Sequence, residues 1–318
     1  MRVLITGSNG LLGTKLLELL LAEPGVQPLA ASRHRCSNRY LGPFPFWQAD
    51  LAESTEVKRL FAEARPDVVL HTAAMTDVDG CERKPDLAWR QNVDATSNVA
   101  RAAADGGARM VHLSTEYVFD GTSGPYRENE PVRPIGFYGR TKLVSEQVVL
   151  DLLPNSAVAR TTIVFGHAPN VRPNFVTWLL TRLQSGEQCR VVCDQIGSPT
   201  LADSLARMVW SLGCTPSVGG VFNTVGDTVV SRYGFARLAA SVFELNPDLV
   251  VPIETASLGQ TSPRPLQAGL RMEKFRALFP EVPVLSAEEA LLNLRAQMAW
   301  VAGGSGVSGG LLATAGVG

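Results

Sequence analysis

The first stretch of this chain constrains its fold more than any other. Residues 2–6 (Arg-Val-Leu-Ile-Thr) are a short β-branched run, Gly7, Gly10 and Gly13 follow at intervals of three, and residues 11–22 are amphipathic and apolar. Strand, glycine turn and helix in direct succession is the context that makes such glycines a phosphate site. Gly7 permits the tight turn, Gly10 lets the backbone approach a pyrophosphate, and Gly13 lets helix and strand pack closely. Free N–H groups and the dipole at the helix start then attract phosphate oxygens. The fold expected from this beginning is α/β, a doubly wound parallel sheet, followed by a smaller C-terminal α/β substrate-binding lobe.

The next elements bear on which dinucleotide is bound. A second strand is expected at residues 28–32, ending Ala-Ala-Ser32-Arg33-His-Arg35. An NAD site usually places a carboxylate here for the ribose 2′-hydroxyl. None is present, and Ser32 and Arg33, with Arg35, suit a 2′-phosphate through charge-assisted hydrogen bonds. The cofactor is therefore expected to be NADPH, with NADH as the alternative. A third strand at 46–48 leads to Asp50 and Leu51, where Asp50 by itself reads as the N-cap of a helix at 53–64. A fourth strand at 67–71 ends in Thr72-Ala73-Ala74, small enough for a cofactor to lie close. Asp77, Asp79 and Glu82 lack regular oxygen-ligand spacing and read as a solvated loop and helix start. A helix at 90–104 carries Asn92.

The chemistry concentrates in residues 114–142. An apolar run at 110–113 ends in Ser114-Thr115, and a loop rich in proline and glycine leads to Tyr138-Gly-Arg-Thr-Lys142. Spacing of four puts the phenol and the ammonium on one helix face. The nearby ammonium is expected to favour the phenolate and bring the tyrosine into range as a proton donor and acceptor. A hydroxyl at the strand end adds a second hydrogen bond to the same carbonyl. Residues 156–165 are expected as a sixth strand. The second half has no further glycine fingerprint and alternates less regularly. The expected division is residues 1–166 for the dinucleotide and catalysis, 167–301 for substrate with some strands returning to the first sheet, and 302–318 as a flexible tail.

Net charge −1 and the lack of a basic stripe exclude a nucleic-acid reading, and no apolar run is long enough to span a bilayer. The beginning of the chain is not leader-like, and the five dispersed cysteines fit a reduced, cytoplasmic protein without a structural metal.

The glycine spacing resembles the short-chain dehydrogenase/reductase superfamily. Together with Ser114-Thr-Glu-Tyr-Val-Phe-Asp-Gly121, Tyr138-Gly-Arg-Thr-Lys142, Asp194-Gln-Ile-Gly-Ser-Pro-Thr200 and Arg264-Pro265, it resembles the dTDP-4-dehydrorhamnose reductase family. That resemblance implies a Rossmann-type fold. It implies a catalytic trio of Thr115, Tyr138 and Lys142, a sugar-nucleotide substrate and hydride transfer from NADPH to a C4 ketone. It puts Gly7, Asn9, Gly10, Leu11, Leu12, Gly13, Ser32, Arg33, Asp50, Leu51, Ala73, Ala74, Asn92, Ser114, Tyr138 and Lys142 at the cofactor. Thr115, Glu116, Val118, Asn174, Gln195, Thr200 and Arg264 fall at the substrate, Arg264 at its diphosphate. Glu116 stands where the family usually has Asp, Ile163 where it often has Trp, and Ala268 where it usually has Ser, which fits a different 4-keto-6-deoxy sugar. A homodimer is compatible with the resemblance. Two other functions share these motifs: a regulatory subunit like the methionine adenosyltransferase β subunit, and a sugar-nucleotide epimerase or dehydratase.

Overall fold

The computed structural model describes residues 1–303. Strand β1 (Arg2–Thr6) enters helix α1 (Leu11–Leu21) through the glycine turn, and β2 (Gln27–Ser32), β3 (Phe46–Gln48), α2 (Ser54–Ala64) and β4 (Val68–His71) follow. Short helices α3 (Val78–Arg83) and α4 (Pro85–Trp89) lead through a π-helical turn (Arg90–Asp94) into α5 (Ala95–Asp105). Then come β5 (Arg109–Thr115), a 3₁₀ turn (Glu116–Val118), α6 (Phe137–Leu152), β6 (Ala157–Thr161) and β7 (Val164–Phe165). The remainder holds α7 (Phe175–Gln184), β8 (Cys189–Val192), β9 (Ile196–Gly197), β10 (Thr200–Leu201), α8 (Ala202–Cys214) and β11 (Gly220–Asn223). It ends with β12 (Val230–Ser231), α9 (Arg232–Val242), β13 (Val250–Ile253), α10 (Glu273–Leu278) and α11 (Ala287–Gly303).

Seven strands form one parallel sheet in the order β11-β6-β5-β4-β1-β2-β3. Its central strands are apolar throughout because helices cover both faces. Leu16, Leu17 and Leu20 of α1 pack on one face with Leu205, Met208 and Val209 of α8. Val57, Leu60, Val99 and Ala103 of α2 and α5 pack on the other. Strand order reverses between β1 and β4, which opens a crevice at the carboxyl ends of these strands. The seventh strand, β11, comes from the second half of the chain and pairs with β6 from Gly220↔Ala157 to Asn223↔Arg160. The lobe has its own core, in which Phe165, Leu179, Phe235 and Leu291 meet.

Two expected elements differ. The sixth strand is broken: β6 stops at Thr161, and Ile163 takes a left-handed φ of 41° before β7. A β-branched residue there is strained by about 1–3 kcal/mol, and the break redirects the chain from the main sheet to β10. The helix expected at 90–104 begins in the π turn, where Asn92 turns inward to bond Met75. Of the tail expected at 302–318, the first two residues continue α11 and the rest lie outside the described residues. Among the described residues no helix is long and apolar enough to cross a membrane.

Candidate active site

Strand β5 and helix α6 bring Thr115, Tyr138 and Lys142 together. Gly136 starts α6, and Gly139 lacks a Cβ that would strike the Tyr117 carbonyl, so the helix lies directly on the 3₁₀ turn after Thr115. The three side chains are 6%, 8% and 2% exposed. The Tyr138 ring meets Tyr117 edge-on at 5.6 Å. Burial pushes the Tyr138 phenol up, Tyr117 and Cys81 add to this, and only the Thr115 hydroxyl opposes it. The expected lowering by Lys142 is thus overturned in the folded chain: desolvation of the phenol dominates, and the ammonium is engaged elsewhere. Lys142 Nζ donates to His112 Nε2 at 3.1 Å. Burial lowers Lys142 to about 8, against the pull of Glu146.

His112 has its place because β4 and β5 are in register, His71 opposite His112, with rings stacked at 5.4 Å. Burial and Lys142 lower both imidazoles, His71 to about 3, so both are neutral. With Nε2 accepting from Lys142, the proton sits on His112 Nδ1, a buried atom with no hydrogen-bond partner among the described residues. One turn past Lys142, Glu146 accepts from Ser114 Oγ and from both Arg160 Nε (2.9 Å) and Nη2 (2.7 Å). Asn92, fully buried, donates to Thr141 Oγ1 at 2.9 Å and braces α6 from the other side.

The glycine turn lies against the end of β4. Gly7 has φ 72°, and a Cβ there would fall 2.7 Å from Ala73 N. A Cβ on Gly13 would meet the Gly7 carbonyl. Helix α1 has no side-chain cap and no acid in its first turn, so its amides suit an anion. Leu11 and Leu12 begin that helix half-buried. Asn9 straps the loop after β2 onto the turn, donating to Arg35 O at 2.8 Å and accepting from Ser37 N at 3.2 Å. Ser32 ends β2, and exposed Arg33 donates to Gln91 Oε1 at 2.7 Å. Asp50 is not the cap of α2, which is Glu53; it pairs with Arg90 at 3.2 Å, and Leu51 is buried beside it. A glycine cradle, uncapped amides and no carboxylate at the end of β2 together fit a dinucleotide bearing a 2′-phosphate.

The residues expected at the substrate are more dispersed. Glu116 is 6% exposed, burial raises its carboxyl to about 8, and Oε2 has no hydrogen-bond partner among the described residues. Gln195 Nε2 donates to Thr255 Oγ1 at 3.0 Å. Asn174 is the N-cap of α7, with its amide also donating to Gly166 O at 2.7 Å. Val118 and Thr200 are wholly interior, Thr200 bonded to Ser198 O. Arg264 donates to Asp79 Oδ2 and Ser262 O at 2.9 and 2.8 Å. The 77–82 carboxylates are therefore a clamp rather than a solvated loop: Asp77 caps α3, Asp79 holds Arg264, and Glu82 accepts from Phe137 N and Ser262 Oγ. Sequence reasoning missed Tyr117, although it adjoins Thr115 and Glu116.

Comparison with known proteins places this geometry. Residues 1–296 match the family described as the RmlD substrate binding domain. The chain is 32% identical over 307 residues to the dTDP-4-dehydrorhamnose reductase of Aggregatibacter actinomycetemcomitans, spanning 93% of this chain and 98% of that one. It is 33% identical over 272 residues to methionine adenosyltransferase 2 subunit beta of Pongo abelii, spanning 84% and 79%. The crystal structure of the Bacillus anthracis dTDP-4-dehydrorhamnose reductase in complex with NADP superposes with a TM-score of 0.81 at 31% identity, covering 93% of this chain and 99% of that one. The chain belongs to the RmlD substrate-binding-domain family.

Proposed function

We propose that this member of the RmlD family is an NADPH-dependent reductase that converts the C4 ketone of a dTDP-4-keto-6-deoxy sugar to an alcohol. The buried Thr115, Tyr138 and Lys142, brought together by the end of β5 and helix α6, carry this reading. The near full-length similarity to a dTDP-4-dehydrorhamnose reductase supports it. When bound, NADPH supplies hydride. Gly7, Gly10 and Gly13 with the α1 amides hold its diphosphate, Ser32 and Arg33 its 2′-phosphate, and Ala73 and Ala74 leave it room. Tyr138 keeps its proton through neutral pH because burial raises its pKa, and it donates that proton to the ketone oxygen. Thr115 orients the same oxygen. Lys142 holds a positive charge beside the ribose, with His112 as its hydrogen-bonded rest. Residues 1–166 carry cofactor and catalysis, while 167–301 supply Asn174 and Gln195 to the sugar nucleotide.

The test is NADPH consumption with enzymatically prepared dTDP-4-keto-6-deoxy sugar, beside Tyr138→Phe. Consumption abolished by the mutation supports the reductase. NADPH binding with no turnover, and recovery of a stoichiometric enzyme partner, supports instead the second reading, a regulatory subunit, which is kept because the methionine adenosyltransferase subunit is among the relatives.

A further inference from the structure

Two arginines of the lobe are candidates to meet the negative charge of a sugar nucleotide, and they differ in how they are engaged. Arg264 is spent: its side chain is 8% exposed, it is paired to Asp79 at 2.9 Å, and its other branch is held by Ser262 O. Drawing it to a ligand means breaking a charge-assisted pair in a shielded place. Arg232 is half-buried, and its guanidinium has no ion pair or hydrogen bond among the described residues. It lies over the Phe175 ring at 5.3 Å, which holds a cation in place without neutralising it. Strands β9 and β12 pair Ser231 with Ile196, and Arg232 N donates to Gln195 O at 2.9 Å, so the residue is fixed to the Gln195 loop.

The surroundings point toward a ligand. The charge of Arg232 acts on the Tyr117 phenol and the Glu116 carboxyl. Among the described residues Glu116 does not form an ion pair with it, and its buried Oε2 has no hydrogen-bond partner. That carboxyl lies against Gly197, on the same β9 strand, where a Cβ would come within 3.4 Å of Oε2. Tyr117, on which this charge acts, meets the Tyr138 ring edge-on. In a pyranose, C4 and the C1 that bears the diphosphate are on opposite sides of the ring. A sugar with its C4 ketone at Tyr138 therefore directs its diphosphate away from the phenol.

We propose that Arg232, and not Arg264, is the principal cationic anchor for the diphosphate of a bound nucleotide sugar. This rests on the nucleotide-sugar reading of the site. Arg264 instead acts as a positioning residue that ties residues 262–264 to α3 through Asp79. Glu116, held protonated by burial at neutral pH, leaves the Arg232 charge uncompensated.

The experiment is calorimetric titration of the full chain with dTDP, with thymidine and with NADP⁺, for wild type, Arg232→Gln, Arg232→Lys and Arg264→Gln. Arg232→Gln is expected to weaken dTDP binding by about tenfold or more, the worth of a charge-assisted bond, and to leave thymidine and NADP⁺ unchanged. Arg232→Lys keeps the charge and recovers part of the loss. Arg264→Gln is expected to lower Tm while changing dTDP affinity less than Arg232→Gln does. In turnover, Arg232→Gln raises KM with kcat nearly constant, the signature of binding shared by ground and transition states. Equal dTDP affinity of wild type and Arg232→Gln, or a larger loss in Arg264→Gln, overturns the assignment alone. A wild-type protein that binds NADP⁺ but neither dTDP nor thymidine overturns it together with the nucleotide-sugar reading.

Discussion

Glu146→Gln tests how the catalytic strand and helix are held together. Glu146 and Arg160 are a buried ion pair with side chains 3% and 4% exposed, joined through both carboxylate oxygens. Ser114 Oγ also donates to Glu146, and Arg160 lies over the Phe119 ring at 5.1 Å. The pair thus links α6, β5 and β6 one residue from Thr115 and one turn from Lys142. The substitution keeps the volume and removes the charge, leaving the guanidinium buried and uncompensated. Breaking such a pair costs about 3–5 kcal/mol, because the surviving charge keeps its desolvation penalty. At about 2–4 °C per kcal/mol, the expected fall in Tm is about 6–20 °C. Thermal denaturation of the full chain measures it, and urea midpoints give the free energy independently. The double variant Glu146→Met/Arg160→Met removes both charges, and we expect it to recover at least half of the loss. A single variant within about 1 kcal/mol of wild type would refute the reasoning, since a loss that small belongs to a solvated pair.

Other outcomes follow from the same geometry. Glu116 has a folded pKa of about 8, above its ordinary 4.5, so the folded state holds the proton longer. Its contribution is present at acid pH and lost as pH rises toward and through 8. Glu116→Gln, compared with wild type by Tm between pH 5 and 9, should gain relative stability as pH rises; a constant difference would contradict this. Lys142 behaves with the opposite slope. Its folded pKa of about 8 lies below 10.5, so the unfolded chain binds more protons between those values and stability rises with pH across them. Urea unfolding of Lys142→Met at pH 7.5 and 10 should lack that rise. Gly7→Ala combines a left-handed φ with a Cβ 2.7 Å from Ala73 N. It should lower NADP⁺ affinity by about tenfold or more and reduce Tm, measured by fluorescence titration and calorimetry; unchanged binding would separate the turn from the cofactor.

Much of the nucleotide half was legible because its signals are local. The β-branched run before Gly7, the apolar run after it and the absence of acid near Ser32 need only neighbours in sequence to be read. So does the one-turn pitch that puts Tyr138 and Lys142 on one face of α6. The broken sixth strand was not legible: residues 156–165 are uniformly suited to a strand, and the left-handed Ile163 arises where the chain leaves one sheet for another. The helix start at 77–82 was legible, with Asp77 as its cap, but the clamp formed by Asp79 and Glu82 was not, for a related reason. Their spacing is that of a solvated helix start, and their partners Ser262 and Arg264 lie about 180 residues away.

By itself, then, the sequence determined the parallel α/β class, the glycine cradle and the pairing of phenol with ammonium on one helix. All three follow from steric rules and periodicities that act within a few residues. Tertiary structure alone decided the charge state of that site. Sheet register set His112 beneath Lys142, and burial raised the Tyr138 phenol, opposite to what the spacing to Lys142 suggests. The same long-range closure engaged Arg264 with Asp79 and left Arg232 over the Phe175 ring without an ion pair among the described residues. Desolvation and charge pairing depend on which surfaces meet in space, and no periodicity along the chain records that.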